Sequence, residues 1–415
     1  MNSKQLVRNK AWLDSKNGRP WLLDLSRREA AWLKNGLFFL LFVYFRVRSA
    51  ATHAKISLNQ EKNPLFLILS APVATSLLSS LCLIYCLFLA STSLLFCQSR
   101  IVVANDGSGD FRSIQAAINS LPAESSTWRE VYIRNGNYPE KIYIEKNKIT
   151  LTGQSVAGVV ITVSQARDFW RCAHPDDWGA ATMNLRAQDI TLQNLTVINS
   201  YGFNAKGDST IICANEANVA KVVRKDGHQF ALRSMPGCTR LSVINCVFRA
   251  LGGDTVSPWD VDQGMYYFRN CVMEGGVDFY CPRGWAYAED CTFICHNLSA
   301  AIWHDGSLHE SSKTVLKNCT FKGDPGFKLG RFHRESQFYL LQCRFAKEMA
   351  DADIYWAQSG PGTPLWGKRV FYYRCKRSGG DYGWHQDNLS SGVKAKEINV
   401  SWTFDGRWTP PGSGK

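Results

Sequence analysis

The sequence is poor in metal-binding motifs. Eleven of its 14 cysteines follow residue 97, and none of these eleven belongs to a C-x-x-C pair. The closest two, Cys291 and Cys295, have no second pair that would complete a zinc site. Most of the eleven lie in apolar, strand-like segments, where buried thiols and disulfides fit the pattern equally well. The cysteines therefore support no zinc centre.

Most of the chain also has only a small excess of positive over negative charge. The formal net charge is +13, but residues 1–100 hold 13 Lys and Arg against 4 Asp and Glu, which is +9. Residues 101–415 therefore carry only +4. A basic balance that belongs mainly to an atypical N-terminal region does not indicate nucleic-acid binding. The sequence thus predicts no nucleic-acid partner.

Residues 1–97 lack the pattern of a folded domain and are interpreted as a leader. The apolar segment 65–97 resembles the core of a secretion signal that ends in small residues, although it lies far from Met1. A membrane anchor through 65–97 and a true start downstream of Met1 are the alternatives. All three favour export, so we expect a secreted or cell-envelope protein (extracellular or periplasmic) whose folded domain spans 98–415.

Helical patterns are rare in this domain, and short strands are frequent. Runs of β-branched and aromatic residues alternate with Gly, Asn and Asp, and the first such runs are 101–104, 131–133, 142–144, 149–151 and 159–162. One helix is predicted at 113–119, with apolar residues at 114, 117 and 118. No later segment shows a convincing amphipathic period.

A short unit repeats through the domain: a polar residue, Cys, one further residue, then Phe or Met. Its cysteines, at 246, 271, 291, 319 and 343, are separated by 25, 20, 28 and 24 residues. A period of this length predicts stacked coils, and it is too short for the four strands of a propeller blade. The sequence therefore predicts an all-β, single-stranded parallel β-helix with one short N-terminal capping helix. Each Cys and the following Phe or Met should point inward.

Two aspartates occupy comparable positions in successive repeats. Asp254 lies eight residues after Cys246, and Asp278 lies seven after Cys271. Because strands of adjacent coils lie about 4.8 Å apart, the two carboxylates are predicted to be stacked neighbours. Arg331 could lie across from them on a later coil. A carboxylate among apolar residues, as in Val277-Asp278-Phe279, is a candidate reactive group.

These residues resemble the pectin methylesterases, a family of carbohydrate esterases built on a right-handed parallel β-helix. The resemblance runs from about 101 to 379. Its motifs are Gly136-Asn-Tyr-Pro-Glu140 for the family's G-x-Y-x-E, Val277-Asp-Phe279 for the V-D-F of G-x-V-D-F-I-F-G, Leu329-Gly-Arg331 for L-G-R, and Gly253-Asp-Thr255 for Q-D-T. The resemblance implies removal of methyl groups from methyl-esterified homogalacturonan (pectin) or a related acidic polysaccharide. It implies no metal and no cofactor, and we expect a monomer.

The resemblance also assigns three catalytic residues. Asp278 would be the nucleophile, Asp254 the general acid and then the general base, and Arg331 the partner of Asp278. Two neighbouring carboxylates do not both ionise easily. An arginine against Asp278 is therefore expected to keep that residue charged and to leave the proton on Asp254.

Several family positions are changed in this chain. A glutamine that donates to the oxyanion is Gly253 here, and either His228 or Gln229 takes the place of a second family glutamine. Losing one oxyanion donor slows such reactions by about two to three orders of magnitude. The segments after Asp278 and Arg331 also differ, and the candidate replacements for substrate contact are Tyr280, Arg283, His333 and Trp259.

These changes keep a second class of function open: a catalytically impaired β-helix that binds uronate polysaccharide, or an esterase for a different sugar ester. A glycoside hydrolase needs a suitably spaced pair of carboxylates across the sugar bond. A lyase needs a calcium cluster and a basic catalytic residue. The sequence supports neither. The trio Asp254, Asp278 and Arg331 favours an esterase, because a binding protein has no obvious need for it.

Overall fold

The computed structural model describes residues 100–213, 219–304, 306–358 and 363–413. The predicted leader, with its signal-like or anchoring segment 65–97, lies outside these ranges. Within them, no helix has the length and apolar character needed to cross a membrane.

The described residues form a right-handed parallel β-helix, as the repeat and the resemblance predicted. Successive coils contribute strands to three faces. The first face is one sheet of ten parallel strands: β1 Ile101–Val103, β2 Arg129–Ile133, β5 Ile149–Gly153, β8 Ile190–Gln193, β13 Leu241–Ile244, β16 Met265–Arg269, β18 Trp285–Glu289, β21 Thr314–Lys317, β24 Phe338–Leu341 and β27 Val370–Tyr373.

The second face is a sheet of nine parallel strands: β3 Gly136–Tyr138, β6 Val159–Val163, β9 Thr196–Asn199, β14 Val247–Arg249, β17 Val272–Gly275, β19 Thr292–Cys295, β22 Thr320–Gly323, β25 Arg344–Phe345 and β28 Lys376–Arg377. The third face holds seven strands: β4 Ile142–Ile144, β7 Met183–Leu185, β12 Leu232–Ser234, β15 Val256–Ser257, β20 Ile302–His304, β23 Gly330–Phe332 and β26 Tyr355–Trp356. Tyr280 joins its two parts, because it pairs with Val256 on one side and Ile302 on the other.

The repeat predicted from the sequence is confirmed residue by residue. On the second face, Phe248, Met273, Phe293, Phe321 and Phe345 pair in one continuous register and are buried. The repeat cysteines, which come two residues before these side chains, are buried thiols. The polar residue that opens each unit adopts a positive φ of 51–55°, a conformation that Asn tolerates better than most residues. That preference explains why Asn recurs at the corner.

The predicted N-terminal helix is confirmed as α1, Ile114–Ser120. Glu140 holds its start by accepting hydrogen bonds from the backbone N–H groups of Ile114 and Gln115, at 2.7 and 3.0 Å. Its apolar side is buried against the first coils. The helix therefore covers the open end of the core, where stacked coils would otherwise expose apolar residues.

Several short elements were not predicted. They are α2 Arg167–Ala173, α3 Tyr201–Asn204, a 3₁₀ helix at Gly383–His385, α4 Val400–Thr403, and an antiparallel hairpin of β10 Ser209–Cys213 with β11 Val219–Val223. A disulfide between Cys172 and Cys213 ties α2 to the hairpin. The other nine cysteines of the described residues are free and buried.

Candidate active site

The register of the third face makes Asp254 and Asp278 neighbours. Val256 pairs with Tyr280, and Trp259 pairs with Arg283, so the two segments run in parallel with a constant offset. The same offset aligns Asp254 with Asp278. Both residues adopt a positive φ, 58° and 53°, which turns the chain sharply before the strand positions that follow. The predicted stacking of the two aspartates is thus present in the backbone register.

The glycines before Asp278 serve this close packing. A Cβ on Gly276 would lie 2.7 Å from the carbonyl oxygen of Leu251 on the preceding coil. A side chain at 276 would therefore push the two coils apart. The neighbour that requires glycine here is another backbone segment.

Arg331 reaches Asp278 from two coils away. Strand β23 carries Arg331, and the nitrogens Nε and Nη2 donate to Oδ1 and Oδ2 of Asp278 at 3.0 and 2.5 Å. A guanidinium that engages both oxygens fixes the plane of the carboxylate as well as its position. Asp278 is only 7% exposed. The arginine thus holds a buried carboxylate in one orientation, as the sequence predicted for this pair.

Asp254 lies in a different charge environment. His228 Nε2 is 3.6 Å from Asp254 Oδ1, and Ser257 Oγ is 3.3 Å from Oδ2. Ser257 is itself held by Arg233 Nη1 at 2.6 Å and by Arg283 Nη1 at 3.3 Å. Three cationic or ionisable nitrogen groups therefore surround Asp254, whereas Arg331 contacts Asp278.

This arrangement gives the two carboxylates pKa values in the order opposite to the one expected from the sequence. Burial alone would raise the pKa of Asp254, but His228, Arg283 and Arg233 outweigh burial and lower it below its ordinary value. Burial raises the pKa of Asp278 to about 7, because it outweighs the Arg331 contact and the charge of Asp254 adds to it. Asp254 is therefore the more acidic of the two.

A cleft of about 420 Å³ opens beside Asp254. Its walls combine cationic, acidic and apolar side chains. They are Arg167, Arg171, Asp176, Asp177, His228, Phe230, Arg233, Met235, Asp254, Trp259 and Arg283. Asp177 binds Arg167 at 2.7 Å and lies 3.4 Å from Arg233. The four arginines outnumber the three aspartates, so the cleft suits an anionic ligand.

The structure distinguishes His228 from Gln229, which the sequence left as alternatives. Gln229 is fully buried; its Oε1 accepts from the backbone N–H of Gly202 at 2.9 Å, and its Nε2 donates to the carbonyl of Lys225 at 2.5 Å. The side chain of His228 is 52% exposed and lines the cleft. Gln229 therefore anchors the chain from inside, and His228 faces the site.

The remaining predicted contact residues separate into two groups. Arg283 and Trp259 line the cleft, and the guanidinium groups of Arg233 and Arg283 lie 4.8 and 5.7 Å from the centre of the Trp259 ring. Tyr280 is fully buried against Phe293 and cannot touch a substrate, so that prediction was wrong. His333 is half-buried and outside the cleft, and its carbonyl accepts from the indole of Trp356 at 3.1 Å.

Sequence reasoning missed two groups that shape the site. Ser257 connects Asp254 to two arginines, and Asp177 gathers the arginines of the cleft. The signal for Asp177 in the sequence was the adjacent acidic pair Asp176-Asp177. The described ranges contain no group of three or more His, Cys, Asp or Glu side chains arranged to hold a metal ion.

Comparison with known proteins agrees with this architecture. The Pectinesterase family model matches residues 100–237. Two Arabidopsis thaliana relatives are "Probable pectinesterase 29", 29% identical over 56% of this chain and 65% of its own length, and "Putative pectinesterase 11", 26% identical over 68% and 71%. Over these ranges the chain is similar to pectinesterases.

Solved structures show the same fold. A pectin methylesterase from Erwinia chrysanthemi aligns with a TM-score of 0.58 and 21% identity, covering 75% of this chain and 98% of its own. One from carrot aligns with a TM-score of 0.56 and 19% identity, covering 74% and 93%. Another pectin methylesterase of this fold, solved with a bound hexasaccharide, aligns with a TM-score of 0.58 and 22% identity, covering 75% and 98%.

Proposed function

We propose that the protein hydrolyses methyl esters of homogalacturonan, or of a related uronate polysaccharide, and releases methanol. The observation that carries this proposal is the buried carboxylate of Asp278, held through both oxygens by Arg331 and stacked in register with Asp254. An oriented, desolvated carboxylate is suited to attack an ester carbonyl. The match of residues 100–237 to the Pectinesterase family model supports the same reaction.

In the proposed reaction, Asp278 attacks the carbonyl carbon of the methyl ester and forms an acyl-enzyme. Arg331 keeps the carboxylate aligned through the attack. The departing methoxide needs a proton, and the water that later hydrolyses the acyl-enzyme must lose one. Asp254, on the adjacent coil, is the residue proposed to carry out these two proton transfers. The products are methanol and a free uronate.

The arginine-rich cleft supports an acidic polymer as the substrate. The cleft also contains the indole of Trp259, an aromatic side chain of the kind that contacts sugar rings. The guanidinium groups of Arg233 and Arg283 lie near this indole and could neutralise uronate carboxylates. Such a substrate lies in the cell wall, so we also propose that residues 1–97 direct export and that 98–415 is the working domain.

The proposal is tested by methanol release from methyl-esterified pectin, with wild-type protein beside Asp278→Asn. We expect release by the wild type and a loss of at least three orders of magnitude in the variant, because an amide cannot form the acyl-enzyme. Asp290→Asn is a matched control: Asp290 is exposed, has a φ of 55°, and occupies a corner where the repeat elsewhere carries Asn. Equal rates in wild type and Asp278→Asn would refute the assignment of Asp278 as the nucleophile.

A non-catalytic polysaccharide-binding role is the second candidate. The observation in its favour is that neither outward position next to Asp254 carries an amide, since these positions hold His228 and Gly253. Retained binding of de-esterified pectin, with no methanol release from any methylated sample, would support this role instead.

A further inference from the structure

A cluster of ionisable side chains lies where the chain leaves the second face and turns toward Asp278. Residues 274–278, here called the nucleophile segment, lead from the end of β17 to Asp278 on the third face. Four successive strands of the second face each place one ionisable residue at or just after their last positions. These residues form the corner cluster: Arg249, Glu274, His296 and Asp324.

Glu274 is the centre of the corner cluster. Arg249, its register partner on the preceding coil, donates through Nε and Nη2 to Oε2 and Oε1 of Glu274 at 2.5 and 3.2 Å. His296, on the following coil, places Nε2 3.0 Å from Oε1 of Glu274 and Nδ1 3.4 Å from Asp324. The Glu274 side chain is only 12% exposed. A carboxylate bound from both neighbouring coils has little freedom to move.

The charges of the cluster reinforce these contacts. The hydrogen bond from His296, with a further contribution from Arg249, outweighs burial and lowers the pKa of Glu274 to about 2. The same hydrogen bond with Glu274 raises the pKa of His296. Glu274 therefore stays ionised throughout the range in which Asp278, with its pKa of about 7, changes its charge.

The backbone carries this anchoring from the cluster to the nucleophile. The N–H of His296 donates to the carbonyl of Gly275 at 2.8 Å, and the N–H of Asp278 donates to the carbonyl of Ala300 at 2.7 Å. The loop 296–300 is thus bonded to the nucleophile segment near both of its ends. The residue that begins this loop is the histidine of the corner cluster.

The nucleophile segment needs such support because its own sequence is permissive. Gly275 and Gly276 lack a Cβ, and glycine restricts the backbone least of all residues. Asp278 itself has a φ of 53°, a conformation that residues other than glycine seldom adopt and that surrounding contacts must maintain. Arg331 fixes the carboxylate at the end of the segment. The corner cluster fixes its beginning.

We propose that Glu274 and His296 are positioning residues for the nucleophile; the inference rests on the ester hydrolysis proposed above. Together they clamp the start of the nucleophile segment, so that the Asp278 carboxylate meets the ester carbonyl in a reactive geometry. Neither residue lines the cleft. Breaking the clamp should therefore lower the rate of the chemical step and leave substrate binding nearly unchanged.

The test measures methanol release from methyl-esterified pectin by wild type, Glu274→Gln, His296→Gln and the double variant. We expect each single change to lower kcat about 10- to 100-fold, because a small displacement of a reacting group is costly. KM should stay within about threefold of wild type. The double variant should be no slower than the slower single variant, because both changes break the same clamp.

Urea unfolding of each variant shows whether a loss of rate reflects a loss of folded protein. Removing the Glu274 charge leaves cationic partners in a half-buried cluster, so Glu274→Gln could fail to fold. His296→Gln is the milder change, because His296 is 25% exposed, and it decides the question alone in that case. The matched control is His309→Gln, whose Nε2 contacts Asp262 at 2.8 Å on the opposite side of the third face; its kcat should equal that of wild type.

An unchanged kcat in His296→Gln, or a raised KM with an unchanged kcat, would overturn the positioning role. So would an equal loss of rate in His309→Gln, or a double variant whose loss equals the product of the two single losses. Wild-type protein that releases no methanol would overturn the proposed function and this inference together. Active wild type beside an unaffected His296→Gln would overturn the inference alone.

Discussion

Replacing Asp278 with Asn should stabilise the fold, and the gain should grow with pH. Burial raises the pKa of Asp278 from 3.8 to about 7. A carboxyl group with a raised pKa stabilises the folded state while it is protonated, below pH 3.8, and this contribution is lost as the pH rises through 7. Asparagine is neutral throughout and has nearly the same shape, so the variant does not suffer this loss.

The size of the effect follows from the shift. One pKa unit corresponds to about 1.4 kcal/mol, so a rise from 3.8 to about 7 makes ionised Asp278 destabilising by about 4 kcal/mol above pH 8. Between pH 5 and 8 the free energy of unfolding of wild type should fall by about 3 kcal/mol relative to Asp278→Asn. A buried reactive carboxylate thus weakens the fold that holds it.

Urea unfolding of wild type and Asp278→Asn at pH 5, 6, 7 and 8 measures this difference. Asp290→Asn provides the baseline for an exposed aspartate at the same φ. A stability difference between wild type and Asp278→Asn that does not change with pH would refute the conclusion that burial outweighs Arg331. A difference of the opposite slope would mean that the arginine dominates and that Asp278 has a lowered pKa.

Three further predictions concern the site and the core. Arg331→Lys should lower kcat for methanol release about 10- to 100-fold, because one ammonium cannot hold both oxygens of Asp278; an Arg344→Lys variant on the second face should match wild type. Because Asp278 must be ionised to attack, kcat/KM should rise with pH and level off above about 7; a profile flat between pH 5 and 7 would contradict this. Phe293→Ala should lower the free energy of unfolding by about 3–5 kcal/mol, measured by urea unfolding, because the ring stacks on Phe321 at 4.7 Å inside the core; an effect below 1 kcal/mol would mean that the stacked rings contribute little.

The architecture could be predicted because each coil of a β-helix repeats the same pattern of residues in the sequence. Each coil must place an apolar residue inward and a residue tolerant of positive φ at the corner, and Asn270-Cys-Val-Met273 shows both requirements. Stacking then follows from the register, so Asp254 and Asp278 could be aligned by counting from Cys246 and Cys271. The helices α2 and α3 and the hairpin gave no such signal, because they interrupt the coils without repeating.

The finer features of the site depend on interactions between coils that counting does not provide. Whether His228 or Gln229 faces outward depends on alternation along one short segment, and a one-residue gap reverses the answer. Which of Asp254 and Asp278 has the lower pKa depends on Arg233 and Arg283. These two arginines come from different coils and both bind Ser257. The sequence shows these residues but not which carboxylate they surround.

The two departures beside Asp254 are neighbours in the structure. Loss of an amide at 253 by itself would remove an interaction with the reacting group. The space left by Gly253 lies next to an imidazole, however, and the imidazole is directed at Asp254. The two positions therefore share one space beside Asp254.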